Sequence, residues 1–412
     1  MFELPPSCGT AVSLEMSTAE SLPSSAEIVI IGGGVMGLSA AYYLTERGIG
    51  RTARGDYSGI LILERNTLGS GSSAKPLGGV RANFSDPANI VLGQRSLAVY
   101  EQFSETFGVD IHLNKVGYLF LGRTEEERAS LEQSAHEQRL LGIDARVLSP
   151  AQAQELNPYL NPDALTAACF TPNDGHASPA AVVEGLRRAL VAKNVQICDH
   201  TEVLDIERTA ASITAVLTNR GAVRTSTVVC AAGAWSKSIG EMAGVDLPVE
   251  PTRRMIGLTP QQDQAHCPPR IPFTLDLSTT MYLHNYSRGL LLGISHAEEP
   301  GFCREYSNAW LAEFNAAASI IAPELENPTL ASGWAGFYEN TPDHNALIGP
   351  SLTVPGFFYI AGFSGHGFLQ APAAGELLAD IIADTTPFMD PRPFSATRFS
   401  GVGTPWKELN II

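Results

Sequence analysis

The segment Glu27-Ile28-Val29-Ile30-Ile31-Gly32-Gly33-Gly34-Val35-Met36-Gly37 constrains this chain most, because an apolar run passes into G-x-G-x-x-G and straight on into a helical pattern. The order predicts a strand, a tight turn and a helix. Gly32 permits the turn, Gly34 lets backbone approach a diphosphate, and Gly37 lets the helix pack close to the strand. The helix N-terminus, which Val35 and Met36 open, then offers N–H groups to the anion. A dinucleotide cofactor follows from this pattern.

The flanking sequence agrees. Leu38, Ala41, Tyr42 and Leu44 fall at helical spacing, and Gly48 follows Arg47 where a C-terminal cap belongs. A second apolar run, Ile60-Leu61-Ile62-Leu63, ends in Glu64 and Arg65, and Glu64 holds the place of the acid that hydrogen-bonds the adenosine ribose. It lies further from the glycines than the usual roughly 20 residues, and the polar residues 50–58 read as a loop insertion that accounts for the excess. The alternative is a glycine-rich turn in some other α/β protein.

Composition narrows the class. The chain has 412 residues, enough for about two domains, and its 17% charged and 44% hydrophobic content is that of a globular enzyme rather than a disordered chain. A net charge of -16 argues against nucleic acid or an anionic membrane surface and leaves a small molecule as the expected partner. Cys8, Cys169, Cys198, Cys230, Cys267 and Cys303 are scattered, with no C-x-x-C pair, so neither a metal site nor a disulfide framework is expected. No Lys or Arg precedes Arg47, no apolar h-region precedes Glu27, and no run reaches the length of a membrane span. The expectation is a soluble cytoplasmic protein whose residues 1–25 form a mobile extension, with Met16 as an alternative start.

The small-residue stretch with Ser70, Gly71, Ser72, Ser73, Gly78, Gly79, Val80 and Arg81 gathers backbone N–H groups suited to a phosphate or a planar ring, the alternative being a surface linker. Residues 89–107 read as a helix, 116–122 as a strand, 124–141 as a charged helix, and 178–192 as a helix opened by Ser178-Pro179. Strand-like runs follow at 203–206 and 213–217. Val228-Val229-Cys230 then enters Ala231-Ala232-Gly233-Ala234-Trp235, and Phe358-Tyr359-Ile360-Ala361 enters Gly362-Phe363-Ser364-Gly365-His366-Gly367-Phe368 and a last helix. These are second and third strand, glycine turn and helix units, placed at the carboxyl edge of an open sheet where ligands bind. Residues 251–272 mark a change of region.

Together these motifs resemble the family of FAD-dependent amino-acid and amine oxidoreductases, the D-amino-acid oxidase superfamily, which includes sarcosine oxidase, glycine oxidase and proline dehydrogenase β subunits. The resemblance covers roughly residues 28–399 and rests on the three glycine turns in the family's order. It implies an α/β fold: a discontinuous Rossmann-like FAD-binding domain with an α+β substrate domain whose mixed sheet roofs the flavin. We divide the chain accordingly into FAD-binding residues 26–110, 171–250 and 331–400, substrate-domain residues 111–170 and 251–330, and a C-terminal tail at 401–412. It further implies a small amino acid or secondary amine as substrate, of the proline, hydroxyproline, sarcosine or glycine type, oxidised by hydride transfer from the α-carbon to flavin N5 to an imine that water hydrolyses. Partner subunits or a homo-oligomer are compatible with the family. So is a different class, a flavin-bearing subunit or assembly protein without turnover of its own.

Residue by residue, the resemblance places Gly32, Gly34, Val35, Met36, Gly37, Glu64, Arg65, Ser72, Ser73, Gly78, Gly79, Val80, Val203, Ala232, Gly233, Trp235, Gly336, Gly365, His366, Gly367 and Phe368 at the cofactor. Arg81, Tyr282 and His366 are the catalytic candidates. An arginine holds a carboxylate by two parallel bonds; the alternatives are a surface ion pair for Arg81, a core aromatic for Tyr282 and a packed turn residue for His366. Three departures matter. Leu291, in Gly289-Leu290-Leu291-Leu292-Gly293, replaces the lysine that promotes reaction with oxygen in monomeric sarcosine oxidase, which tilts the reading toward a dehydrogenase. The cysteine that tethers flavin there falls near Ala335, implying non-covalent FAD. Leu369 and Tyr338 replace basic residues of relatives, leaving Arg81 or Arg254 for a substrate carboxylate. Asp343-His344 and Asp174-Gly175-His176 read first as turns and second as acid and base pairs.

Overall fold

The computed structural model describes residues 21–75, 77–295, 300–399 and 408. Most of the expected extension at 1–25 and all of the tail at 401–412 except Glu408 lie outside the described residues. Two sheets organise the rest. The first has six strands in the order Leu347–Pro350, Phe357–Ala361, Val228–Cys230, Ile28–Ile31, Ile60–Leu63, Gln196–Cys198, parallel except for the antiparallel edge Leu347–Pro350. Ile28–Ile31 and Ile60–Leu63 are apolar at every position because both faces of a parallel sheet are covered. Ile28, Ile30, Ile60 and Ile62 pack beneath the helices Val35–Glu46, Pro179–Ala192 and Gly367–Ile382, whereas Val29, Ile31, Leu61 and Leu63 face the antiparallel strands Val203–Arg208, Ile213–Thr218 and Gly221–Arg224. The three units read from sequence thus stand side by side. Their glycine turns leave the carboxyl ends of three adjacent parallel strands.

The second sheet is mixed and has eight strands, ordered Ser332–Asn340, Glu250–Leu258, Gly289–Gly293, Tyr282–Tyr286, Phe273–Asp276, Tyr118–Gly122, Ala167–Thr171, Arg146–Leu148. Two of these elements differ from the reading of the sequence. The region opened by Pro251 is a nine-residue strand, Glu250–Leu258, and Ser332–Asn340 pairs with it from end to end, so residues 332–340, grouped above with the FAD-binding segments, belong to the larger sheet.

Local signals account for several helix ends. The Thr124 hydroxyl accepts a bond from Glu127 N and the Glu127 carboxylate accepts one from Thr124 N, a capping box for Glu125–Leu140. Ser178 caps Pro179–Ala192. The helix expected over 89–107 starts earlier, at Pro87 behind the cap Asp86, and is broken at Gln102 into Pro87–Glu101 and Phe103–Phe107. Within Gly367–Ile382, Pro372 has no N–H to give to the Phe368 carbonyl four residues back. The buried hydroxyl of Tyr100 donates to that carbonyl instead, at 2.5 Å. No helix among the described residues is long and apolar enough to cross a membrane, and none of their side chains group as a metal site.

Candidate functional site

The first glycine turn is held from three sides. Gly32 N donates to Leu63 O, Gly33 N to Glu64 Oε2 at 2.9 Å, and Val35 N to Ser73 Oγ at 2.9 Å. A Cβ on Gly37 would collide with the Gly32 carbonyl, so the close helix-to-strand approach expected of the third glycine is present. Glu64 also accepts from Asn66 N at 2.9 Å, which fixes its carboxylate at the end of its strand, half-buried.

Above these turns lies a cavity of about 340 Å³. Gly32, Gly34, Val35, Met36, Glu64, Arg65, Ser72, Ser73, Gly78, Gly79, Arg81, Val203, Ala232, Gly233, Trp235, Tyr282, Gly336, Gly365, His366, Gly367 and Phe368 all line it, so residues up to 336 positions apart converge on one space. Gly37 and Val80, placed at the cofactor from sequence, do not. Gly37 is spent on helix packing, and Val80, fully buried on the short strand Gly79–Val80, turns into the helical core.

One part of the lining is basic and phenolic. Arg81 is 2% exposed; its guanidinium donates to the Asn83 carbonyl and stands 4.1 Å over the Phe84 ring and 5.7 Å from that of Tyr118. Burial lowers its affinity for a proton, and the nearby Tyr118, Asp174 and Tyr338 act in the other direction. Arg254 lies 5.3 Å over the Tyr338 ring from the opposite strand pair. Tyr118, Tyr282 and Tyr338 are each pushed upward, chiefly by burial, and stay protonated donors. His366 caps the last helix and is 2% exposed, with an imidazole Nε2 that bonds no described group. Its pKa lies well below the ordinary value because of burial and then Arg81, so the ring is neutral. Gly365 before it has φ +95, and a Cβ there would strike the Tyr338 ring.

Leu291 is fully buried among Tyr118, Phe120, Phe273 and Tyr282 and does not reach the cavity. Asp174 is no mere turn residue. It is 1% exposed, accepts from Ala82 N at 2.9 Å and Thr171 Oγ1 at 2.5 Å, and is pushed up to about 6, first of all by burial. His176 pairs in a short strand with Gly79–Val80, and its ring lies 4.9 Å from that of His284, tilted by 36°. Asp343 makes an ion pair with Arg398 at 2.7 Å, a structural use of the acid. Tyr118, Lys75, Arg304 and Glu339 line the cavity without having been read from sequence. Tyr118 and Glu339 sit in ordinary strand patterns, so their only signal is the pairing of distant strands.

These features coincide with a known family. A model described as FAD dependent oxidoreductase matches residues 27–381. The chain belongs to that family. The FAD-dependent oxidoreductase domain-containing protein 1 of Xenopus laevis is 30% identical over 89% of this chain and 81% of its own length. Glycine oxidase of Geobacillus kaustophilus (strain HTA426) is 29% identical, over 91% of this chain and 97% of that protein. Among solved structures, L-proline dehydrogenase from P. horikoshii superposes with a TM-score of 0.84 at 30% identity, over 92% of this chain and 99% of that one. The mixed α/β architecture with its Rossmann-like domain is therefore that of FAD-dependent oxidoreductases, and FAD is the cofactor. The cavity suits it: backbone is bare at the glycine turns, Glu64 reaches the lining beside Val203, and the buried Nε2 of His366 has no described partner.

Proposed function

We propose that the protein oxidises a small amino acid or secondary amine that carries a carboxylate, of the proline, hydroxyproline, sarcosine or glycine type. The observation that carries this reading is the pairing of two guanidinium groups, Arg81 and Arg254, with the hydroxyls of Tyr118, Tyr282 and Tyr338 in one cavity. A buried arginine is costly to desolvate and regains most from a planar anion that accepts two bonds. The tyrosines supply neutral donors and an apolar wall against the substrate. FAD, when bound, supplies the acceptor for a hydride leaving the α-carbon.

Around it, this chain binds, orients and excludes water. Arg81 holds the carboxylate and so aims the α-carbon. The N-terminal N–H groups of Gly367–Ile382 and the neutral ring of His366 offer hydrogen bonds and a positive dipole end to negative charge growing at that end of the cavity. The cofactor residues read from the sequence, other than Gly37 and Val80, line the cavity and are assigned to FAD, while Arg81 and Tyr282 are assigned to the substrate. No cysteine is among the described lining residues, which favours non-covalent FAD. Leu291, an apolar residue in a sealed cluster, favours a dehydrogenase over an oxidase. We assign the FAD-binding domain to the six-stranded sheet and the substrate domain to the eight-stranded one, which moves residues 332–340 to the substrate domain.

The test is anaerobic titration of the purified holoprotein with small amino acids and N-methyl amines, followed in the visible spectrum. Bleaching of the flavin band by one of them supports the reading and identifies the substrate class. A flavin band that no member of the panel bleaches, alone or with added partner subunits, transfers support to a flavin-bearing subunit without turnover of its own.

A further inference from the structure

Glu339 is a buried acid that the proposed chemistry does not use. It lies near the end of Ser332–Asn340, is 8% exposed, and lines the cavity. The backbone N–H groups of Gly362 and Phe363, in the third glycine turn, bond its carboxyl. The other oxygen, Oε2, is sealed from solvent and has no hydrogen-bonding partner among the described residues, and it stands 3.1 Å from where a Cβ on Gly233 would be. Glu339 therefore bridges the carboxyl ends of two adjacent parallel strands, Val228–Cys230 and Phe357–Ala361, at the sheet edge that also carries Gly32. A buried oxygen left without a partner forfeits its solvation and gains nothing in return. Native structures rarely leave such groups unused.

We infer that Glu339 is a cofactor-contacting residue that, as a neutral acid, donates a hydrogen bond from Oε2 to an acceptor oxygen of bound FAD, a ribityl hydroxyl or a diphosphate oxygen. The neutral form is what the surroundings favour. The carboxyl is pushed up to about 7 by burial, against which only the two amides act. Among the described residues no cation offsets it. The Cys230 thiol, which feels the Glu339 charge, is itself pushed up to about 11 by burial and is neutral. Of the other titratable groups lining the same cavity, the Tyr338 phenol is raised by burial and the His366 ring is held well below its usual value, so both are uncharged at neutral pH. On the paired strand Arg254 turns to the Tyr338 ring, and Glu250 is exposed. An ionised Glu339 has no proton to give, so a bond that Glu339 donates is lost on ionisation, with added repulsion where the acceptor is an anionic diphosphate oxygen, and FAD binding and protonation of Glu339 are linked.

The inference rests on FAD as cofactor and not on any substrate. The test is the dissociation constant of FAD for the flavin-stripped protein, read by flavin fluorescence from pH 6 to 8.5, for the wild type and Glu339→Gln. For the wild type the constant should rise on the order of tenfold between pH 6.5 and 8.5, whereas for Glu339→Gln, which keeps a neutral donor, it should stay within about twofold. In case Glu339→Gln does not fold, calorimetry of wild-type FAD binding at pH 7.5 in buffers of differing ionisation enthalpy gives an independent answer: net proton uptake, approaching one per FAD, is expected. A pH-independent wild-type constant, an equal pH dependence in Glu339→Gln, or no proton uptake overturns the inference. Titration with ADP separates the two acceptors, since the pH dependence carries over to ADP only if the bond is made to the diphosphate. Failure of every amine to bleach the flavin would leave these results untouched.

Discussion

Removing one oxygen atom from Tyr100 should loosen the helix whose N-terminus forms part of the cavity, and the size of the effect should depend on Pro372. The Tyr100 hydroxyl donates to the Phe368 carbonyl that Pro372 cannot serve. Tyr100→Phe keeps the ring, which is 1% exposed and stacks 5.4 Å from Phe368, so packing is unchanged and only the donor is lost. A buried carbonyl left without a partner costs about 1–3 kcal/mol, against roughly 0.5–1.5 kcal/mol for losing an ordinary hydrogen bond whose groups find substitutes. Pro372→Ala restores a backbone N–H four residues on from Phe368, so in that background the carbonyl has a donor and the same Tyr100→Phe change should cost little. The four proteins of the cycle isolate this coupling, and the intrinsic helix preference of alanine over proline cancels. Urea unfolding and amide exchange within Gly367–Ile382 would read it, with an expected coupling of about 1–2 kcal/mol. Because His366, Gly367 and Phe368 line the cavity, FAD should also bind more weakly to Tyr100→Phe than to the double variant. An equal cost of Tyr100→Phe in both backgrounds would refute the reasoning.

Arg81→Met exchanges a buried cation for an apolar chain of similar length: the thermal midpoint should hold or rise, while substrate affinity falls on the order of hundredfold, about 3 kcal/mol for a desolvated ion pair. Unchanged flavin-reduction kinetics and affinity would remove Arg81 from the site. Gly37→Ala drives a methyl group at the Gly32 carbonyl, so the helix must withdraw at a cost of about 1–3 kcal/mol, and FAD should bind at least about tenfold more weakly by fluorescence titration. His284 and His176 are pulled down to about 3 and about 4, mainly by burial. Their folded pKa values lie below those of the unfolded chain, so the stability they contribute is complete above the ordinary imidazole value near 6.5 and is lost as pH falls toward 4 and 3. His284→Gln should therefore flatten the fall in thermal midpoint over that acid range, and an unaltered slope would contradict the assignment.

Much of the fold is legible where a rule acts within a few residues. Thr124 with Glu127, Ser178 with Pro179, and Gly48 after Arg47 mark helix ends because caps and left-handed residues are local chemistry. Asp86-Pro87 carries the same kind of signal, a side-chain cap and a proline at the first helical position, and it went unread. The break at Gln102 has no local marker. It follows from Phe103 and Phe107, whose rings lie 4.3 Å apart under Gly185, with Phe107 4.9 Å from Tyr42. The proline near the start of Glu250–Leu258 suggested a boundary, yet the strand holds because Ser332–Asn340 supplies its partner throughout.

The sequence by itself determined the family, the cofactor and the three glycine turns, since a strand, a bare turn and a helix N-terminus are written in consecutive residues and need no distant partner to be recognised. Only the tertiary structure decided which side chains meet. It set Asp174 beneath Arg81, buried Leu291 away from the cavity, turned Val80 into the core and left one oxygen of Glu339 without a partner beside Gly233. Each of these depends on segments far apart in the chain being brought together by sheet pairing and by two-sided burial, and no short-range rule of sterics or hydrogen bonding records the result.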